Sequence, residues 1–312
     1  RAAADHPHSR FLAGGTNLLD LMKEDVERPT ELIDVTRLDL AAIRESGGGG
    51  VSIGALAKNA DTANHPLIRT RYPLLTKAIV AGASAQLRNM ATNGGNLMQR
   101  TRCQYFYDLS MPCNKREPGT GCGARGGLNR MHAILGWSEK CVAVYPGDMA
   151  NALYALEAVV RIRGANGRER TIPVGEFHRL PGDTPERDNN LEHGELITAI
   201  ELPRSPFAKH CYYLKVRDRA SYAFALVAVA AALDLDGGRI RHARVVLGGV
   251  AHKPWRSAEA EAALAGKAPS EDAFRRAADA ALAGAKPLAQ NAFKVELGKR
   301  AIVRALMRAG QA

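Results

Sequence analysis

Four of the five cysteines in this 312-residue chain, Cys103, Cys113, Cys122 and Cys141, fall in one stretch with the spacing C-x9-C-x8-C-x18-C. Thiolates hold metals, and the spacing bears on which metal. Zinc sites usually carry tight C-x2-C pairs, which are absent here. Wide spacing on a segment rich in Gly, Pro, Asn and Arg matches a larger object such as a [4Fe–4S] cube, which needs thiolates arriving from several directions. On spacing alone, iron–sulfur and zinc are equally open, and two disulfides or unliganded core thiols are further readings. Arg100, Arg102, Lys115, Arg116, Arg125 and Arg130 lie between or beside the cysteines. They would offset the negative charge of a four-thiolate cluster and raise its reduction potential. His132 could replace a thiolate, but a loop or surface role fits its position better. His6, His8 and His65 form no set with it. Cys211, in a strand-like run beside Tyr212 and Tyr213, reads as a buried thiol.

A second chemistry is written in two glycine loops, "AGGTN" (Ala13 to Asn17) and "TNGGN" (Thr92 to Asn96). Glycine allows positive φ and close approach of backbone to a ligand. Consecutive backbone N–H groups in such turns make a nest for anions, and a helix beginning near Leu18 aims its positive end at the same place. Pyrophosphate is the natural guest, with Thr16, Asn17, Thr92 and Asn96 adding neutral hydrogen bonds. Neither loop is a G-x-G-x-x-G or Walker motif, and each alone reads as a tight turn. No Ser-His-Asp or H-E-x-x-H arrangement is present. The chemistry then belongs to cofactors.

These residues need elements to position them. "RFLAGGTNLLDLMK" reads as a strand from Phe11 to Ala13, a loop and a helix. "ELIDVTRL" and "GGGGVSIGAL" read as strands around a turn at Gly47 to Gly50. The apolar spacing of "YPLLTKAIVAGASAQLRNM" predicts one helix. The cysteine segment, residues 99–144, reads as irregular. Asp148 then looks like the N-cap of a helix, followed by a strand from Ala158, a hairpin at Asn166-Gly167 and a strand ending at Pro203. The last third reads as three strands, with a turn at Asp236 to Gly238, and a helical tail from Ser257. The whole is α+β: a larger domain over 1–202 carrying the insertion, and a smaller sheet-and-helix domain over 203–312.

Composition narrows the class. A chain 46% hydrophobic and 24% charged is ordinary for a soluble globular protein. No run of about 18 apolar residues exists to span a membrane, and "RAAADHPHSR" has no apolar signal core. The net charge of +11 is scattered among 32 acids, and aromatics are only 5%, so no stacking platform for nucleic acid is visible. The chain begins at Arg1, without Met, directly before a strand-like run, so a preceding piece is expected.

"FLAGGTNLLDLM", "TNGGNLMQR", "PGDMANALYALEA", "GELITAIELP" and "YYLKVRDRASYAFALVAVAAAL" together resemble the flavin-binding subunit of molybdenum hydroxylases, the xanthine dehydrogenase and carbon monoxide dehydrogenase family. The likeness runs in order through nearly the whole chain. It implies a vanillyl-alcohol-oxidase/PCMH-like FAD-binding domain of two subdomains, then a CO-dehydrogenase-flavoprotein-like C-terminal domain. By motif, Leu12, Ala13, Gly14, Gly15, Thr16, Asn17, Leu18 and Leu19, with Thr92, Gly94, Gly95 and Asn96, would hold FAD. Asp148 and Leu196 would line the flavin, and the Lys215 cation would sit near its ring. Without the resemblance, Lys215 reads as a surface lysine.

Typical members run almost directly from the second glycine loop to the Asp that stands here as Asp148. The cysteine-bearing insertion, with "QRTRCQYFYD", "PCNKR" and "GGVAHKPWR", resembles the [4Fe–4S]-containing flavin subunit of bacterial periplasmic-type aldehyde oxidoreductase. That implies metal ligation by Cys103, Cys113, Cys122 and Cys141, a large molybdopterin partner, a small [2Fe–2S] partner and an external electron acceptor. Export in folded form on a partner's signal puts the complex in the periplasm, with the cytoplasm as the alternative. A flavin subunit like that of 4-hydroxybenzoyl-CoA reductase is the alternative enzyme. A zinc-stapled basic binding protein is the alternative of another class. No signature for a nicotinamide cofactor is legible.

Overall fold

The run "VAVAAALDLD" explains the architecture. Its side chains alternate between two cores, so a continuous apolar run is what this strand requires. The structure, a computed structural model, describes residues 2–311. Its strands in chain order are β1 (Ser9–Leu12), β2 (Glu31–Asp34), β3 (Ile43–Glu45), β4 (Val51–Gly54), β5 (Val159–Arg163), β6 (Glu169–Pro173), β7 (Leu196–Leu202), β8 (His210–Val216), β9 (Val227–Asp236), β10 (Arg239–Gly248) and β11 (Trp255–Arg256). They form a parallel β1-β2 pair, an antiparallel sheet ordered β3-β4-β7-β5-β6, and an antiparallel sheet ordered β11-β10-β9-β8. The α+β class holds.

The first core lies between the five-stranded sheet and two helices. Val160 and Ile162 of β5 and Ile197 and Ile200 of β7 meet Leu74, Leu75, Ala78 and Ile79 of helix Pro73–Ala81 and Met149 and Leu153 of helix Asp148–Ala155. The small side chains Ala228, Ala230 and Ala232 of β9 close this core. On the other face of β9, Val227, Val229 and Leu233 join Phe274, Ile302 and Leu306 from helices Glu271–Leu282 and Phe293–Gly310. Complete burial of a side chain such as Phe274 contributes about 1.5–3 kcal/mol.

Several local expectations change. The helix expected over residues 72–90 breaks after Ala81, because Ala83 takes φ +49 and Ser84 caps a new turn, Ala85–Arg88. "ELIDVTRL" does not turn back on "GGGGVSIGAL". Instead β2 pairs in parallel with β1, and the glycine turn joins β3 to β4. "TNGGN" is not a loop but the start of a short helix, Asn93–Leu97, capped by Thr92, whose Oγ1 accepts from Gly95 N at 3.2 Å. Asp148 is not a cap. Gly147 is the N-cap, and the Asp148 carboxylate reaches across to β8. The cysteine segment is irregular apart from the single turns Gln104–Tyr107 and Gly123–Gly126.

Candidate cofactor site

The first glycine loop lies directly on the backbone that enters the second. A Cβ on Gly14 would fall 2.1 Å from Met90 O, and one on Gly94 would press on Ala55. Gly15 takes φ +71, open to glycine and strained for other residues. Between the loops lies a cleft of about 370 Å3, lined by Ala13, Gly14, Gly15, Thr16, Asn17, Leu18, Thr92, Gly94, Gly95 and Leu196, among others. Leu12, Leu19 and Asn96 stand off it: Leu12 ends β1 and Leu19 is exposed. Asn96 donates to Asn59 Oδ1 at 2.8 Å and accepts from Gln99 at 3.1 Å. Asn59 in turn donates to Asn93, and Asn93 to Thr62, so four side-chain amides and a hydroxyl brace the loop from beneath. Asn17 accepts from Arg100 N at 2.8 Å, while its Nδ2 is buried with no partner in the protein. A buried donor on a cleft wall without an acceptor fits a ligand rich in oxygen.

Asp148 and Lys215 meet at 2.7 Å, both side chains under 10% exposed. Tyr213 donates to the other Asp148 oxygen at 2.7 Å, and Lys215 also donates to Ala81 O at 3.2 Å. Burial, with the Asp148 charge beside it, pushes the Tyr213 hydroxyl well above its ordinary value. Lys215 is therefore neither a surface lysine nor a free cation; its charge is balanced by Asp148. A second cavity, about 490 Å3, is lined by Arg102, Cys103, His132, Asp148 and Phe224, among others, and so reaches from the carboxylate to the first cysteine.

All five cysteines are free thiols, so the disulfide reading has no support. Cys113 and Cys122 face each other across an antiparallel bridge, and Cys141 pairs with Ser138 in another. The four clustered thiols share one electrostatic neighbourhood: Cys103 feels Cys141 and Cys113, and Cys141 feels Cys122 and Cys113. Burial pushes the Cys103 thiol up to about 12 and Cys141 up to about 11. Among the described residues, no three His, Cys, Asp or Glu side chains close in on a point where one metal ion could sit. Cys211 is fully buried, as its setting in the sequence implies, and Lys77 approaches its sulfur at 3.9 Å.

The cations around the cysteines are mostly answered by acids. Arg100 pairs with Glu27 at 2.5 Å and Asp188 at 2.7 Å, Arg102 with Asp20, Arg125 with Glu139, and Arg130 with Asp218. Lys115, nearly fully buried, meets Asp188 at 2.5 Å. Burial alone would raise the Asp188 carboxyl, but Lys115 and Arg100 outweigh it and hold it at about 2. Arg116 instead donates to the carbonyls of Tyr105 and Phe106 at 2.9 Å. Most of the six cations thus have acid partners within ion-pair distance, and Lys115 also acts on the Cys141 thiol, holding it below where burial alone would put it.

His132 is not at the surface. It is buried with Nε2 at 3.1 Å from Cys103 Sγ, and His252 holds the same relation to Cys141 at 3.2 Å. Burial, with Lys294 nearby, pulls the His132 imidazole down to about 4. Lys294 is itself buried and donates to the carbonyls of Met131, His132 and Gly249. Sequence reasoning missed Asp188, His252 and Lys294. The first and last have no local signal. His252 stands within a motif already singled out, "GGVAHKPWR".

Residues 1–205 match the family model described as the FAD binding domain in molybdopterin dehydrogenase, and residues 212–309 match the CO dehydrogenase flavoprotein C-terminal domain. The chain belongs to this flavoprotein family. It is 50% identical to the aldehyde oxidoreductase FAD-binding subunit PaoB of Escherichia coli K12, over 97% of this chain and 92% of the relative. It is 30% identical to the carbon monoxide dehydrogenase medium chain of Hydrogenophaga pseudoflava, over 89% and 80%. The fold superposes on quinoline 2-oxidoreductase of Pseudomonas putida 86 with a TM-score of 0.76 at 25% identity, covering 99% of this chain and 92% of that one. It superposes on the Hydrogenophaga pseudoflava carbon monoxide dehydrogenase with a TM-score of 0.74 at 29% identity, covering 97% and 89%. As a member of this family, the chain is the FAD-binding subunit of a molybdenum hydroxylase.

Proposed function

We propose that the chain is the FAD- and [4Fe–4S]-carrying electron-transfer subunit of a molybdenum-dependent aldehyde oxidoreductase of three different chains. A large molybdopterin chain would oxidise the aldehyde. A small [2Fe–2S] chain would pass electrons to this one, and an external acceptor would remove them. The 50% identity to an aldehyde oxidoreductase subunit supports the aldehyde reading. One observation carries the two-cofactor reading: a single cavity is walled by Asp148 at one end and Cys103 at the other. In this reading residues 1–202, with the insertion at 99–144, make the FAD-binding unit, and residues 203–312 the C-terminal unit.

FAD, when bound, exchanges electrons singly with iron–sulfur centres and in pairs with an acceptor. The first glycine loop would offer backbone N–H groups to its pyrophosphate, with Asn17 Nδ2 as one more donor, while the N–H groups of Asn93 to Asn96 are already bonded within the protein. Asp148, Tyr213 and Lys215 lock one another in place, and would hold a balanced charge pair beside the flavin. A [4Fe–4S] cluster, when bound, supplies a one-electron carrier, and Cys103, Cys113, Cys122 and Cys141 would be its ligands.

The visible spectrum of the purified protein, with assays for iron, zinc and acid-labile sulfide, tests this. A flavin band with about four irons and four sulfides per chain is expected. Flavin without iron overturns the cluster, and a colourless protein with one zinc overturns the whole reading. For location we propose the periplasm, reached folded on a partner's signal. Recovery of the assembled complex in the cytoplasmic fraction of its host overturns that.

A further inference from the structure

Two buried imidazoles stand against two of the four proposed cluster ligands, and nothing in the electron path described above uses them. His132 Nε2 lies 3.1 Å from Cys103 Sγ, and His252 Nε2 lies 3.2 Å from Cys141 Sγ. They arrive from different parts of the chain, one inside the cysteine segment and one beyond β10. In both rings Nδ1 is buried with no partner. We infer that His132 and His252 are positioning residues for the cluster, each held as the neutral Nε2–H tautomer and donating an N–H···S bond to a ligand thiolate.

The tautomer follows from proton accounting. A cysteine that ligates iron is a thiolate and has no proton to donate. The ring nitrogen facing it must then carry the proton if the contact is to be attractive. Nδ1 becomes a bare acceptor, less costly to leave unpaired than a buried N–H or a second charge. Donors aimed at the sulfurs withdraw electron density and favour the reduced cluster, so they raise its potential. Backbone N–H groups of Tyr105 and Phe106 also face Cys103, and that of Ala143 faces Cys141, so the two imidazoles are the side-chain donors added to them. Lys294 supports one of them: its Nζ bonds His132 O at 2.9 Å and Gly249 O at 2.6 Å, tying that backbone to the end of β10.

This inference rests on the [4Fe–4S] reading, and the test separates the two. The midpoint potential of the cluster is measured by EPR-monitored reductive titration of the complete complex, for native protein, His132→Phe, His252→Phe and the double variant, with iron counted in each. His132→Gln and His252→Gln keep an N–H donor. The expected result is a more negative potential in each Phe variant, further lowered in the double variant, and restoration towards native in the Gln variants. An exchangeable proton coupled to the cluster should disappear with each Phe substitution. Phe variants that keep full iron at the native potential overturn the inference. If Phe variants lose iron, the Gln variants decide: iron and native potential retained support it, and loss there as well overturns it. Native protein without iron overturns the underlying reading instead.

Discussion

The glycine cleft and the cysteine segment solve opposite problems. In the cleft, backbone meets backbone with side chains removed: Gly14 packs on Met90 O and Gly94 on Ala55, whose carbonyl accepts from Gly94 N at 2.8 Å. In the cysteine segment, irregular backbone is partly buried, and its polar groups must find partners without a helix or sheet. Side chains supply them. Asn114 accepts from Gly119 N and Gly121 N and donates to Lys140 O, Arg116 donates to four carbonyls of the segment, and Lys294 to two. Small residues mark a site that receives a ligand, and long polar residues mark a loop that is held.

The strongest test of that division is Cys113→Ser. Iron should fall to near zero and the segment should become protease-sensitive, because metal binding free energy is partly folding free energy there. The flavin band should persist. Equal loss of flavin, or native iron and stability, would break the separation.

Asp188→Ala strikes the bridge between the regions. Asp188 pairs with Arg100 on the cleft wall and with buried Lys115 in the segment. Removing it leaves buried Lys115 without a counter-charge, while Arg100 keeps Glu27, and should cost about 3–5 kcal/mol in urea unfolding. The acid arm has a defined sign. With the carboxyl held at about 2 against an ordinary 3.8, its stabilisation is complete above 3.8 and is lost as pH falls through 2. The variant should lack that part of the native acid-unfolding curve.

Gly14→Ala should destabilise by about 1–3 kcal/mol through its clash with Met90 O and lower flavin content as well. Gly95→Ala has only the Thr92 hydroxyl to displace, so flavin content should fall with a smaller change in stability. Equal stability losses would contradict the backbone-packing account. The smallest effect is expected of Asn17→Ala, about 0.5–1.5 kcal/mol of flavin affinity by fluorescence titration.

Much of this was legible in the sequence, because local patterns carry it. β9, the hairpin at Gly167 and the helical character of the tail from Ser257 follow from periodicity and turn residues, though not its division into three helices. The cysteines and glycines mark candidate ligand sites by type and spacing, while which metal or cofactor they serve comes only from the family resemblance. What stayed hidden is non-local. The two Asp148 hydrogen bonds come from residues 65 and 67 positions away, so nothing near it separates this role from capping. Asp188 lies 73 positions from Lys115 and 88 from Arg100. The break at Ala83 escapes because alanine favours helix, and only the φ of +49 reveals the turn.

β9 is a party wall. Ala228, Ala230 and Ala232 belong to one core and Val227, Val229 and Leu233 to the other, so neither core is sealed until this strand is seated. Melting should accordingly be one calorimetric event rather than two. A chain cut at Pro203 would strip the alanine face from the first core, and that half would aggregate rather than fold alone.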